Sequence, residues 1–328
     1  MFGPELATAH GILIAVSGGA DSMALMALLA RWQAGKATGH TRLAALTIDH
    51  GLRPESVAEA ALVADVARRL GVVHVTLPWQ GEKPRTGLQN AARKARYQLL
   101  TEHAKAQDFS HLITAHHADD QAETVVMRLA AGSGIAGLAA MRHSVLRQGI
   151  VHLRPLLDIT KSRLIATCAA LDIPFVTDPS NTDPRYGRTR IRGLMARLAT
   201  EGLTTARLTR LAARAADAEE ALSAATMALM QGSDITTTGG ITRINWLTIM
   251  GQPRAIRLRL LTSLLQESHT QKHEPFRLER LEALLEAIDG AAHQGLRLRR
   301  SIGDRIVTLQ PAGILTITAA PPRQRGAQ

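Results

Sequence analysis

Cysteine is almost missing: Cys168 is the single one in 328 residues. No intrachain disulfide can form, and no cage built only from cysteines can hold a metal. Aromatic residues make up 3% of the chain, too few for an RNA-binding sheet that stacks bases on its own rings. No uninterrupted apolar stretch is long enough to cross a bilayer. The first residues carry no basic segment ahead of an apolar run, which argues against a secretory signal. A soluble cytoplasmic protein with no membrane partner is the expectation.

Lysine is also scarce, with six among the 39 basic residues, which leaves 39 − 6 = 33 arginines. The net charge is +11. Arginine presents a planar fork that grips phosphate in two places, so this excess points to a polyanion, nucleic acid above all. Arg185, Arg188, Arg190, Arg192, Arg197, Arg207, Arg210 and Arg214 crowd one region with few acids among them. That region and the chain beyond it are expected to embrace RNA, with binding that weakens steeply in salt. Apolar residues, at 45%, are ample for a packed core. The length predicts two domains, drawn at 1–203 and 204–328.

The densest chemistry comes directly after the apolar run Ile12-Leu13-Ile14-Ala15-Val16. Ser17-Gly18-Gly19-Ala20-Asp21-Ser22 reads as a buried strand entering a glycine turn and then a helix that begins near Ser22. Glycines let backbone N–H groups approach a ligand closely, and a helix N-terminus adds unpaired donors and a positive dipole end. Such a corner suits an anion such as pyrophosphate. It has neither the Walker spacing nor the dinucleotide G-x-G-x-x-G spacing. A plain turn in which Ser17 or Ser22 caps a helix is the competing account.

Periodicity supplies the scaffold. Strands are expected at 12–16, 43–48, 72–77 and 111–115, alternating with helices at 55–70, 88–105 and 118–130. That alternation implies an α/β fold, a parallel sheet with helices on both faces. Ligands then gather at the carboxyl ends of the strands. Ser17–Ser22, Asp49-His50 and His116–Glu123 would share one rim. Beyond about residue 200 the pattern changes to a smaller α+β domain. Helices are expected at 207–230, 253–266 and 275–288, with hairpins over 296–317 and disorder from Pro321.

His116-His117-Ala118-Asp119-Asp120-Gln121-Ala122-Glu123-Thr124 is the second chemical cluster. Asp120 and Glu123, three apart, fall on one helical face. Carboxylates beside a phosphate cradle suit Mg²⁺, a hard ion that prefers oxygen. Asp119 could instead cap the helix. The stretch is not H-E-x-x-H, so zinc is not favoured.

The string S-G-G-x-D-S resembles the PP-loop of the ATP pyrophosphatases, which cleave ATP between the α and β phosphates. Asn90-Ala91-Ala92-Arg93-Lys94-Ala95-Arg96-Tyr97 resembles the N-x-A-R-x-x-R-Y helix of the tRNA(Ile)-lysidine synthetases. The histidine–aspartate stretch is similar to that family's H-H-x-D-D-Q-x-E-T string. Arg154-Pro155-Leu156-Leu157, Asp178-Pro179-Ser180-Asn181 and Arg188-Thr189-Arg190-Ile191-Arg192 continue the pattern in order, over about residues 11 to 200. Some members carry two C-terminal domains, while this chain has room for one.

The resemblance implies a reaction. ATP adenylates the carbon-2 oxygen of the wobble cytidine of a CAU-anticodon tRNA(Ile), and the ε-amine of free L-lysine displaces AMP. Residues Ser17 to Ser22, with His50, would hold ATP, and Asp21 and Asp120 would arrange Mg²⁺. Arg96 and Arg190 would act on the reacting groups, with Arg93, Arg188 and Arg192 on the substrates. Lysine must lose a proton before attacking, and His116, Asp120 and Glu123 are the candidates to hold the ammonium or take that proton. Asp120 is assigned toward metal and Glu123 toward lysine. Oligomeric state is not legible, and a dimer stays open.

Three rival functions fit the chain less well. A tRNA thiolation enzyme needs paired cysteines, which the chain lacks. A small-molecule ligase would have no use for the basic excess. A decayed tRNA-binding module would not keep Ser17–Ser22 and both aspartates intact.

Overall fold

Ile12, Leu13 and Ile14 are each fully buried, and they form the middle of the first strand. The computed structural model describes residues 6, 8–35, 41–51, 55–81, 83–84, 86–177, 187–267 and 276–321. The chain divides into two compact units, residues 1–132 with 137–213, and residues 133–136 with 214–328.

Unit 1 runs β1 (Gly11–Ala15), α1 (Ala20–Ala34), β2 (Arg42–Asp49), α2 (Ser56–Arg69), β3 (Val73–Pro78), α3 (Leu88–Ala106), β4 (His111–Ile113) and α4 (Ala118–Ala130). The short helix α5 (Ile135–Leu138) precedes β5 (Ser144–Arg147) and β6 (Ile150–Leu153), and then come α6 (Lys161–Ala170) and α7 (Gly187–Thr200). The sheet order is β3-β2-β1-β4-β6-β5. All neighbours are parallel except the β5–β6 hairpin at one edge. That hairpin, α6 and α7 have no counterpart among the expected strands and helices.

Successive side chains of a strand point to opposite faces. Ile12 and Ile14 therefore join Met23, Leu25 and Leu29 of α1, with Val63 and Val66 of α2 and Leu164 of α6. Leu13 joins the other core, with Leu100 of α3 and Leu112 of β4. Burying each such side chain contributes about 1.5–3 kcal/mol. A strand buried on both faces has no polar alternation, which is why it reads as a continuous apolar run. The chain leaves β1 toward β2 on one side and finds β4 on the other, so the crevice lies beyond the carboxyl ends of β1 and β4.

Several expectations shift by a few residues, and the helix expected at 275–288 spans Leu278–His293. Helix α1 begins at Ala20 rather than Ser22, because Gly19 takes the extended cap conformation (φ −74°, ψ 158°). Strand β4 ends at Ile113 rather than Ala115.

Helix α8 (Thr205–Gln231) carries the chain from unit 1 to unit 2, and the division falls inside it rather than at 203/204. The reason is packing: Leu208 and Ala212, on its first turns, share a small core with Ala122 and Val125 of α4. Unit 2 continues with β7 (Thr236–Thr238), β8 (Ile241–Asn245), α9 (Arg254–Glu267), α10 (Leu278–His293), β9 (Leu298–Ile302), β10 (Arg305–Leu309) and β11 (Ile314–Ala319). Its antiparallel sheet has the order β7-β8-β11-β10-β9. Val307, Leu309, Leu315 and Ile317 alternate inward onto Leu261, Leu264 and Leu285 of the helices. Of the sequence expectations, Asp178–Asn181, Arg185, Pro275 and the tail after Pro321 lie outside the described residues.

Candidate active site

The first wall is the turn after β1. Gly18 sits at φ +83°, a left-handed backbone that strains any other residue. A Cβ at Gly18 would also meet Val176 Cγ2 at 3.1 Å. The Gly18 carbonyl accepts a hydrogen bond from the Val176 N–H at 2.9 Å, which pins the turn from the segment after α6. Ser22 Oγ closes the loop, accepting from the Ser17 N–H at 3.1 Å and donating to the Gly19 carbonyl at 3.0 Å. Ser22 therefore shapes the cradle while the first N–H groups of α1 are left without intrahelical partners. Such a corner suits an anion.

The second wall is α4. Its N-cap is His117, extended at φ −125°, and not Asp119 as one expectation had it. The Asp120 side chain reaches back to accept from the His117 N–H at 3.2 Å. Asp119 turns away to join two other segments: it accepts from the Lys161 N–H at 2.8 Å and from Thr205 Oγ1 at 3.1 Å. The ends of α6 and α8 are thereby fastened to α4. Hydrogen bonding from His117 holds the Asp119 carboxyl well below its ordinary range, against the effect of burial.

His117 itself is 2% exposed. Its ring nitrogens lie 3.5 Å from each of Asp21, Asp119 and Asp120. Burial alone would push its pKa down. Hydrogen bonds to Asp119 and Asp21 and the charges of Asp120 and Asp21 outweigh burial and push it up to about 9. At neutral pH it is an imidazolium among three carboxylates. Sequence reading passed over His117 in favour of its neighbour. Two histidines in a row at a strand end were the only signal, and which one faces the acids depends on where the helix starts.

Asp21 stands opposite, 3.7 Å from Lys161 Nζ. Its Oδ1 is buried and, among the described residues, has no hydrogen-bond partner. Lys161 was also missed, because nothing in its local sequence marks it.

A third group comes from α7. Arg188 and Arg192, four apart, share one helical face. Arg188 donates to Asp120 Oδ1 at 2.7 Å and to Glu123 Oε2 at 2.8 Å. Arg192 donates to Glu123 Oε1 at 2.7 Å and Oε2 at 3.3 Å. These bonds raise the Arg192 pKa. Glu123 is 2% exposed, and both of its oxygens are occupied. In this arrangement it holds two arginines rather than an open place for lysine. Arg190, on another face of the same helix, is exposed.

Arg93 and Arg96, on α3, lie 5.2 and 5.7 Å from the Tyr97 ring centroid. Burial lowers the Arg96 pKa. His50, at the end of β2, meets Trp79 edge-on at 5.7 Å. Burial and then the Arg96 charge keep it neutral. His116, beside His117, is the reverse of its neighbour: burial and the charges of Arg154, Arg93, Arg188 and Arg96 push its pKa well down.

Among the described residues no group of three or more His, Cys, Asp or Glu side chains is arranged to hold a metal ion. The orphaned Asp21 oxygen nevertheless fits Mg²⁺, which usually keeps waters and substrate phosphates around one or two carboxylates. No helix among the described residues is long and apolar enough to cross a membrane.

A family model described as a PP-loop domain matches residues 2–198. With the glycine cradle at the switch of the sheet, this defines an ATP-using PP-loop enzyme. A tRNA(Ile)-lysidine synthase of Rhodopseudomonas palustris is 47% identical, covering 96% of this chain and 92% of the relative. One from a Bradyrhizobium species is 45% identical over 96% and 92%. The chain belongs to the tRNA(Ile)-lysidine synthase family. Among solved structures, the U34-tRNA thiolase NcsA from Methanococcus maripaludis shares the fold. It is 16% identical with a TM-score of 0.55, covering 65% of this chain and 75% of that one.

Proposed function

We propose that this chain joins L-lysine to carbon 2 of the wobble cytidine in CAU-anticodon tRNA(Ile), with ATP as the activating substrate. The observation that carries the reading is the pairing of the Gly18–Ser22 cradle with an arginine-rich wall at one crevice. In the first step the cytidine oxygen attacks the α-phosphorus and pyrophosphate departs. In the second, the lysine ε-nitrogen attacks carbon 2, the bond to that oxygen breaks, and AMP leaves with it.

Charge accumulates on the phosphates, so the chain must supply donors already in place. The N–H groups from Gly18 to Ser22 would receive the pyrophosphate, with Lys161 beside them. His50 would frame the nucleotide. Mg²⁺ would sit at Asp21, with Asp120 adjoining it, and would neutralise phosphate charge. Arg96 would meet the α-phosphate or the base, and Arg93, Arg188 and Arg192 would present further cations. Glu123 and Asp120 would hold Arg188 and Arg192 in position, which replaces the assignment of Glu123 to the lysine ammonium. Unit 2 and the arginines of α7 and α8 would bind the body of the tRNA.

The experiment is direct. The protein is incubated with ATP, Mg²⁺, labelled lysine and an unmodified CAU-anticodon transcript, which is then digested to nucleosides. Label retained in a modified cytidine is the expected result. AMP and pyrophosphate without retained lysine would overturn the lysidine reading and leave ATP cleavage alone. Transcript affinity should fall by orders of magnitude between low and moderate salt, and an unchanged affinity would remove the arginine surface from the account.

A further inference from the structure

Behind the site lies a buried row of polar groups that the chemistry above does not use. Arg154 is 5% exposed, His152 2% and Thr114 7%. Among the described residues no carboxylate pairs with Arg154. Its Nη1 donates to the Arg142 carbonyl at 2.8 Å, and its Nη2 meets His152 Nδ1 at 3.2 Å. His152 Nε2 lies 2.9 Å from Thr114 Oγ1, and the same oxygen lies 2.9 Å from His116 Nδ1.

The direction of every bond in this row is set by its first member. Guanidinium has donors and no acceptor, so His152 Nδ1 must accept. A ring with a lone pair at Nδ1 carries its proton on Nε2, which then donates to Thr114 Oγ1. The threonine has one hydroxyl hydrogen, and among the described residues the acceptor within its reach is His116 Nδ1. His116 in turn holds its own proton on Nε2. Hydrogen bonds in a chain polarise one another in the same sense, so the fixed charge of Arg154 strengthens the last donor.

We infer that Arg154, His152 and Thr114 form a one-way relay that locks His116 as an Nε2–H donor toward a substrate oxygen, and so denies it the role of base. Arg154, His152 and Thr114 are positioning residues, and His116 is the group that touches substrate. The pKa of His152, brought down to about 3 by burial and then the Arg154 charge, agrees with a neutral ring. The relay geometry stands on its own, while its use in catalysis rests on the lysidine reading.

Two measurements test it separately. The first uses the full chain with nitrogen-15 histidine and needs no substrate. Long-range proton–nitrogen spectra at neutral pH should show His116 and His152 each as a single Nε2–H tautomer, assigned with His116→Gln and His152→Gln. Thr114→Ser should keep that pattern, and Thr114→Val should turn His116 into a mixture of tautomers. A wild-type His116 seen as Nδ1–H or as a cation would overturn the relay, as would a His116 signal indifferent to Thr114→Val. The second measurement tracks pyrophosphate release and lysine transfer in single turnovers. Thr114→Val should slow pyrophosphate release about tenfold, the loss of one well-placed hydrogen bond in the transition state. Thr114→Ser should restore it. Slowing confined to lysine transfer would make His116 the base after all.

Discussion

Each unit sets a half-buried aspartate against basic groups, and the two are used differently. In unit 2, Asp289 receives the Trp246 Nε1–H at 2.9 Å on one oxygen and Arg257 at 2.8 Å on the other. Trp246 is fully buried at the centre of that core. In unit 1, Asp21 shares one oxygen with His117 and Lys161, and its other, buried oxygen has no hydrogen-bond partner among the described residues. A carboxylate with both oxygens bonded holds a structure together. One with an oxygen left over has room for a further donor or cation, and a buried polar atom without a partner costs about 1–3 kcal/mol.

The largest test exchanges the two aspartates. Asp21→Ala should lower ATP-dependent tRNA modification about 10²-fold or more, with little loss in a urea melt. Asp289→Ala should do the opposite, costing about 2–4 kcal/mol of stability while activity per folded molecule holds. Reversed outcomes would dissolve the contrast.

Glu123→Gln comes next, and it separates holding from binding. If Glu123 positions Arg188 and Arg192, the KM values for ATP and lysine should rise together, by roughly fivefold or more, with about 1–3 kcal/mol lost. A rise for lysine alone would return the residue to the ammonium. Gly18→Ala should cost about 1–3 kcal/mol and weaken ATP binding, measured by calorimetry. Gly19→Ala, whose Cβ would meet only Ser17 Oγ at an ordinary 3.9 Å, should be milder in stability.

The smallest effect is a slope. His117 has its pKa raised to about 9, against an ordinary value of about 6.5. Its contribution to stability is therefore complete below pH 6.5, declines above it, and is lost as pH passes about 9. Urea melts across that range should show the decline, and His117→Gln should flatten it. An unchanged slope would mean that the three carboxylates do not hold this proton.

Much of the site was legible because its strongest signals are local. The glycine turn requires a left-handed backbone at one position and a helix immediately after, and both requirements are written in adjacent residues. The spacing of Asp120 and Glu123 likewise comes from helix geometry. What these carboxylates meet was not legible, because Arg188 and Arg192 come from a helix more than sixty residues away in the chain. Lys161 is farther still from Asp21 in the chain, and His152 stands 38 residues from the threonine it meets.

The sequence by itself determined the strand–glycine–helix corner, the alternation that makes a doubly covered sheet, and the arginine excess. Each depends on neighbours within a turn or a strand. Only the tertiary structure decided that His117 is charged while His116 is neutral, that Glu123 is closed by two arginines, and that one Asp21 oxygen has no hydrogen-bond partner among the described residues. A proton's place, or a carboxylate's last partner, is set by groups brought together across the sheet, and burial there magnifies every charge that arrives.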